Sequence, residues 1–386
     1  MKMRERVVSA EVFDVPALSR APSALERNVF CVLGIPLDVE TLHSAVDKIF
    51  AAANRASPFL IVTPNVNFLI NSIRNPEFRN SLNASSLSLA DGVPIVMMAR
   101  LLGVPLIERV AGSDILSRLS QGGGSPRLQV FLFGGELGAA EAAEAAINQK
   151  RSNVTCVGSF YPGYGSVDQL SRGECIDRIN RSGAQFLIAA LGAEKGQSWL
   201  YRNHDALKPP VRAHLGAAIS FESGKLKRAP RFMQQCGLEW LWRIKEEPYL
   251  WRRYWNDALA LSGVVTTRLL PLLLINTFGR SGDRPGALNI DLVPNGKSAK
   301  ASLHGAAVHS LVPSSVVRLN EVIDSPIKNL VLDIADVDFI DARYFGLLLM
   351  LQKELQLRGG VLSIVGASKK IRRLFHLNEL GHMLEN

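Results

Sequence analysis

The 386-residue chain has only four cysteines, Cys31, Cys156, Cys175 and Cys236, and no C-x-x-C pair among them. That spacing excludes a disulfide framework and a structural zinc site, and predicts four buried thiols in a reducing compartment. The histidines, His204, His214, His304, His309, His376 and His382 among them, have no metal-ligand spacing. There is no G-x-S-x-G elbow and no Walker loop, which removes two common hydrolytic and nucleotide chemistries. The first 27 residues mix charge with Pro and Ser and lack the apolar stretch of a secretory signal. They read as a flexible tail on a cytoplasmic protein.

Nearly half of the residues are hydrophobic and a fifth are charged, the balance of a soluble globular protein, and the length predicts two domains. The net charge of +9 is unevenly spread. Between Gly224 and Tyr254 stand eight Lys or Arg (Lys225, Lys227, Arg228, Arg231, Arg243, Lys245, Arg252, Arg253) against Glu239, Glu246 and Glu247. The scarce tryptophans gather in the same region, at 240, 242, 251 and 255. Such a segment seeks anions: phosphate esters, nucleic acid or an anionic membrane surface. An apolar stretch over 258–278 follows, carrying Arg268 near its middle and Pro271. It suits a span, a helix lying in a membrane interface, or an ordinary buried helix.

Short apolar runs alternate with amphipathic stretches over 28–220. Strands are predicted at 59–62, 87–90, 128–133, 154–157, 186–190 and 211–215, with helices at 42–53, 76–84, 94–102, 113–120, 138–149 and 170–181. That alternation implies crossover connections and a mostly parallel α/β sheet. A Gly/Arg-rich linker over 279–286 leads to a smaller α/β unit, with strands at 288–293, 301–304, 329–334 and 361–365. Its helices are predicted at 316–322 and 342–358, with another starting at 369–374.

Polar residues collect where strands stop. Thr63-Pro-Asn-Val-Asn67 follows the first strand and Ala90-Asp-Gly92 the second. In open α/β sheets ligands sit just beyond strand carboxyl ends, where the Asp91 carboxylate can serve as a base or orient a hydroxyl. Each motif alone is also ordinary turn chemistry. Phe131-Leu-Phe-Gly-Gly135 is a strand, a glycine turn and a helix start, an arrangement that suits phosphate. Lys195 and Gln197, past the strand at 186–190, suit either a ligand or a solvated loop.

Together these motifs resemble the WecG/TagA/CpsF glycosyltransferases. The pattern is Thr63-x-Asn65, Asp91-Gly92, Arg109-Val-x-Gly112-x-Asp114, the Phe-Gly-Gly turn and Gly192-x-x-Lys195. It continues with Gly224-Lys-x-Lys-Arg-Ala-Pro230, Gly237-Leu-Glu-Trp-x-x-Arg243 and Glu247-Pro-x-x-x-Arg-Arg253. The resemblance covers about 30–255. It implies a Rossmann-like α/β fold and an inverting enzyme that moves a hexose or N-acetylhexosamine from a UDP-sugar donor to a polyprenyl-diphosphate-linked saccharide acceptor. The expected setting is bacterial exopolysaccharide or cell-surface polymer assembly, peripheral on the inner face of the cytoplasmic membrane. It implies Asp91 as base with Thr63 and Asn65 beside the reacting centre, and Arg109, Gly134, Gly135 and Lys195 as substrate contacts. Arg243, Arg252 and Arg253, on a helical appendage over about 224–256, would neutralise diphosphate. No cofactor or metal is implied, and no D-x-D motif stands upstream of the sugar site. Nucleic acid as a partner explains neither Asp91 nor the Arg-Ala-Pro block. Many members read Pro-Lys-Gln-Glu where this chain has Glu194-Lys-Gly-Gln197, and the glutamine's role is carried to Gln197.

The unit over 287–386 resembles a STAS domain through Leu332-Asp-Ile-Ala-Asp-Val-Asp-Phe-Ile-Asp-Ala-Arg-Tyr-Phe-Gly346, read as strand, loop and helix start. Regulatory members carry a phosphorylated hydroxyl in that loop; here Asp341, Ala342, Arg343 and Tyr344 stand there, with no hydroxyl at either switch position. Binding a protein partner or scaffolding is the expectation. A catalytically impaired scaffold acting through this unit is the alternative to the enzyme.

Overall fold

A computed structural model describes residues 23–121, 127–150, 152–278, 286–292 and 298–385. Most of the expected N-terminal tail and nearly all of the expected linker, 279–285, lie outside the described residues. The chain enters through an antiparallel hairpin, β1 (Val29–Val32) and β2 (Ile35–Asp38), turned at Leu33 and Gly34. Both strands are buried along their whole length. Complete burial removes the apolar/polar alternation by which a short hairpin is recognised in a sequence.

The large sheet holds β3 (Phe59–Val62), β4 (Leu87–Ser88), β5 (Leu128–Gly134), β6 (Val154–Phe160), β7 (Phe186–Ala190) and β8 (Val211–His214). Their order is β4–β3–β8–β7–β5–β6, and every pair is parallel. Helices cover both faces, which is why the strands read as unbroken apolar runs. Helices Leu42–Arg55, Gly112–Leu119 and Ala139–Gln149 bury one face, and Gly173–Arg181 and Ala193–Arg202 contribute to the other. Because all strands run the same way, their carboxyl ends open on one side.

Two helices differ from the sequence expectation. Val66–Arg74 and Ala193–Arg202 begin directly in the polar clusters that were read as strand-end loops. Asn65 caps the first of them, its side-chain oxygen accepting the Phe68 N–H at 3.2 Å. The turn reading of Asn65 is therefore realised as a helix cap.

The smaller sheet comprises β9 (Ala287–Leu292), β10 (Ser298–Ala307), β11 (Asn329–Ile340) and β12 (Leu362–Val365), in the order β12–β11–β10–β9. Only β9 is antiparallel to its neighbour. β11 continues to Ile340, so the residues read as a loop after Ile334 are strand; two register shifts on β10 accommodate them. Asp341 then caps helix Ala342–Leu357, accepting the Tyr344 N–H at 2.8 Å.

The two units share one hydrophobic core, which runs from the hairpin through helix Ala342–Leu357 to β12. Gly346 meets the hairpin so closely that a Cβ there would lie 2.1 Å from the Val29 carbonyl oxygen. Arg343 is buried and donates to the carbonyls of Val29 at 3.0 Å and Arg27 at 3.2 Å. Arg27 in turn pairs with Asp38 at 2.6 Å and, like Lys353, donates to the Ser85 carbonyl.

A helical rod follows the basic segment: Trp251–Val264, a π turn over Val265–Leu269, and Leu270–Phe278. Pro271 has no N–H to close the usual i→i+4 bond, and the ladder opens into the π turn just before it. Arg268, in that turn, pairs with Glu379 of the small unit at 2.6 Å, and Leu269 and Leu272 enter the shared core. Of the cysteines, Cys31, Cys156 and Cys175 are buried as expected, whereas Cys236 is exposed because its short helix stands on the surface of the appendage.

Candidate active site

A cavity of about 970 Å³ opens at the carboxyl ends of the parallel strands, between the sheet and the basic appendage. Thr63, Asn65, Asp91, Arg109, Gly134, Gly135, Lys195, Arg243 and Arg253 all line it. Residues separated by up to 190 positions in sequence therefore converge on one site. The topology explains this: β4, β3, β8, β7 and β5 stand side by side and each delivers its last residues to the same edge.

Asp91 stands one strand away from Thr63. The β3–β4 pairing continues past the strands, with the Asp91 N–H donating to the Pro64 carbonyl at 2.9 Å and the Val110 N–H to Ala90 at 2.9 Å. Gly92 follows with φ +95°, a conformation that leaves the Asp91 carboxylate at the cavity wall. Burial pushes the Asp91 carboxyl up to about 7; Arg109 opposes this and Glu239 adds to it. A carboxylate with that value takes a proton readily near neutral pH.

Arg109 is not free. It pairs with Glu239 of the appendage at 2.5 Å and with Asp114 at 3.6 Å, and Asp114 also meets Arg228. This chain of alternating charges fastens the appendage to the sheet. Arg243 pairs with Glu247 at 2.5 Å, yet its Nη1 is buried without a partner among the described residues. An unpaired guanidinium N–H at a cavity wall is a donor waiting for an anion.

The glycine turn works by allowing close approach. A Cβ at Gly134 would lie 2.6 Å from the Ala190 carbonyl oxygen, and the Gly135 N–H is already donated to that oxygen at 2.7 Å. Donors for a phosphate must therefore come from the residues after Gly135, where helix Ala139–Gln149 starts without a side-chain cap.

Two expected contacts are not brought to the cavity. Arg252 points away, with its guanidinium 5.7 Å from the exposed Trp251 ring. Gln197 is fully buried on the inner face of helix Ala193–Arg202 and donates to the Ser81 carbonyl at 3.1 Å. It is absent from the cavity lining, whereas Lys195, two positions earlier in the same helix, is part of it. Conversely, His214 and the aromatics Tyr164, Trp240, Tyr249, Trp251 and Trp255 line the cavity without having been singled out for it. His214 ends β8, so its position at a strand end was the available signal.

Residues 30–272 match the model of the glycosyl transferase WecG/TagA/CpsF family. The chain belongs to that family. Residues 302–385 match the STAS domain model, so this WecG/TagA/CpsF chain carries a STAS domain at its C-terminal end. An N-acetylglucosaminyldiphosphoundecaprenol N-acetyl-beta-D-mannosaminyltransferase of Bacillus spizizenii is 29% identical over 195 residues, covering 50% of this chain and 73% of that protein. Among solved structures, the unphosphorylated anti-sigma factor antagonist SpoIIAA is similar over 26% of this chain and 86% of its own, at 20% identity and a TM-score of 0.24. The phosphorylated Bacillus SpoIIAA covers 26% and 89%, at 20% identity and a TM-score of 0.23.

Proposed function

We propose that this family member transfers an N-acetylhexosamine from a UDP-sugar to a hydroxyl of a polyprenyl-diphosphate-linked saccharide, with inversion, during assembly of a bacterial surface or exopolysaccharide polymer. The observation that carries the proposal is Asp91, a carboxylate raised to about 7 at the strand-end edge of a cavity walled by guanidinium groups. Asp91 takes the proton from the acceptor hydroxyl as its oxygen bonds to the anomeric carbon. The bond from that carbon to the diphosphate oxygen breaks, and its electron pair leaves on UDP. Arg243 and Arg253 stabilise the charge that builds on the departing diphosphate. Thr63 and the side-chain NH2 of Asn65 stand beside the reacting centre, and Lys195 faces the donor. The name of the Bacillus relative supports both the lipid-linked acceptor and the acetamido sugar.

This assignment fixes a pH profile. A base must be deprotonated, so kcat/KM should fall about tenfold per pH unit below about 7 and level off above it. Initial rates measured at subsaturating substrate between pH 5.5 and 8.5 test this. A flat profile would remove Asp91 from the base role.

The lipid-linked acceptor calls for contact with a membrane surface. Pro248–Thr277 is the one helix among the described residues long and apolar enough to cross a membrane, and little of its apolar stretch is buried. Trp251 and Trp255 are 52% and 61% exposed at the cavity mouth, next to Arg252 and Arg253. Exposed tryptophan beside arginine suits an anionic headgroup layer. Replacing both tryptophans by Ser should reduce sedimentation with phosphatidylglycerol vesicles at least fivefold. Undiminished sedimentation would mean the appendage is not the anchor.

A further inference from the structure

We propose that His214 binds the transferred sugar, standing in for the side chain that this chain lacks at position 196. The inference rests on the UDP-sugar reading above and adds the group that recognises the sugar. A Cβ built on Gly196 would lie 2.0 Å from His214 Cδ2 and 2.8 Å from its Nε2. The imidazole thus occupies the space into which any side chain at 196 would project, and only glycine there admits it. On the ring's other side, His214 Cε1 lies 3.7 Å from where a Cβ on Gly216 would stand, and both residues line the cavity. The histidine is held between two glycines at the wall.

Its chemistry suits an uncharged ligand group. His214 is 5% exposed, and its Nε2 is buried with no hydrogen-bond partner among the described residues. Burial lowers its pKa to about 4, so at neutral pH the ring carries no charge and offers one donor and one acceptor nitrogen. A diphosphate would be poorly served by such a ring; a hydroxyl or acetamido group is well served.

Topology places the ring correctly. β8 lies next to β3, which leads to Thr63, and β4 with Asp91 is one strand further. On the other side come β7 and then β5 with its glycine turn. A sugar bridging a diphosphate at the glycine turn and a base at Asp91 must pass over the end of β8. The altered Lys195-Gly196-Gln197 turn of helix Ala193–Arg202 is then one half of an exchange rather than a loss, with Gln197 turned inward and His214 taking the wall.

The test compares UDP with UDP-N-acetylmannosamine by calorimetry on the full chain. His214→Ala should weaken the UDP-sugar about tenfold while leaving UDP within twofold, because UDP has no sugar to lose. His214→Gln should recover part of the difference. If the ratio of the two affinities is unchanged in His214→Ala, the proposal is overturned while the donor assignment stands. If the unaltered protein binds neither UDP nor the UDP-sugar, the donor assignment itself fails and this inference falls with it. Should His214→Ala unfold, imidazole 15N shifts of the unaltered protein decide: a His214 shift with the UDP-sugar and not with UDP supports the contact, and equal or absent shifts overturn it.

Discussion

Removing residues 298–385 is expected to leave a transferase that cannot be recovered folded. The STAS domain does not hang from the catalytic unit on a tether. Its helix Ala342–Leu357 forms one wall of the pocket that buries β1 and β2, whose residues are all inaccessible to solvent. Deletion would expose Val29, Phe30, Val32, Ile35 and Leu37, together with Leu269 and Leu272 on the apolar rod. Each fully buried side chain of this size contributes roughly 1.5–3 kcal/mol, so exposing all seven costs about 10–20 kcal/mol, as much as the roughly 5–15 kcal/mol stability of an ordinary domain. A milder variant tests the same interface. Gly346→Val places atoms within 2.1 Å of the Val29 carbonyl, where backbone must move, and should cost about 3 kcal/mol or more. Soluble yield and thermal unfolding decide: a truncated chain with unaltered unfolding behaviour would show that the units fold independently.

The same interface gives the STAS domain a role consistent with its sequence. Arg343 occupies the place where regulatory members of that family carry a phosphorylated hydroxyl. Here it is buried against Val29 and Arg27 and its guanidinium lies 5.8 Å from the Phe30 ring. The surface that a switch would need is filled by the chain's own hairpin. That occupancy is what ties the STAS domain to the rest of the chain.

Asp91→Asn is the second large effect, and its two consequences have opposite signs. Transfer should drop by about a thousandfold, the scale of a lost general base. Stability should rise. A carboxyl raised from 3.8 to about 7 on folding contributes stability that is fully present below pH 3.8 and is lost as pH climbs through 7. At pH 8 the ionised group costs the native state at most about 4 kcal/mol, and a neutral amide avoids that cost. The variant should therefore melt higher than the unaltered protein at pH 8, and the gap should close towards pH 5. A variant that is inactive and also less stable at pH 8 would point to a structural role for Asp91.

Much of the architecture was legible because parallel strands buried on both faces are written as plain apolar runs, as in Phe59-Leu-Ile-Val62 and Phe186-Leu-Ile-Ala-Ala190. The helices between them announced themselves by amphipathic spacing. What stayed hidden had physical reasons. The buried hairpin carries no alternation. Helices Val66–Arg74 and Ala193–Arg202 start inside polar clusters that also wall the cavity, and in the first of them Asn65 serves as both cap and wall. Asp91, Thr63 and Asn65 could be placed from sequence because strand ends are where such sheets put their ligands. The inward turn of Gln197 could not be, since it depends on the helical phase of residues read as loop. His214 carries little signal in the sequence, because a lone histidine without metal-ligand spacing is ordinary there. Its partner in space, Gly196, has no side chain to signal it.

Transfer itself is open to direct measurement. Folded protein incubated with UDP-N-acetylmannosamine labelled in the sugar and with polyprenyl-diphosphate-linked N-acetylglucosamine should move the label into the lipid extract, releasing one UDP for each sugar transferred. Label that stays on the nucleotide while the protein remains folded and binds UDP would contradict it.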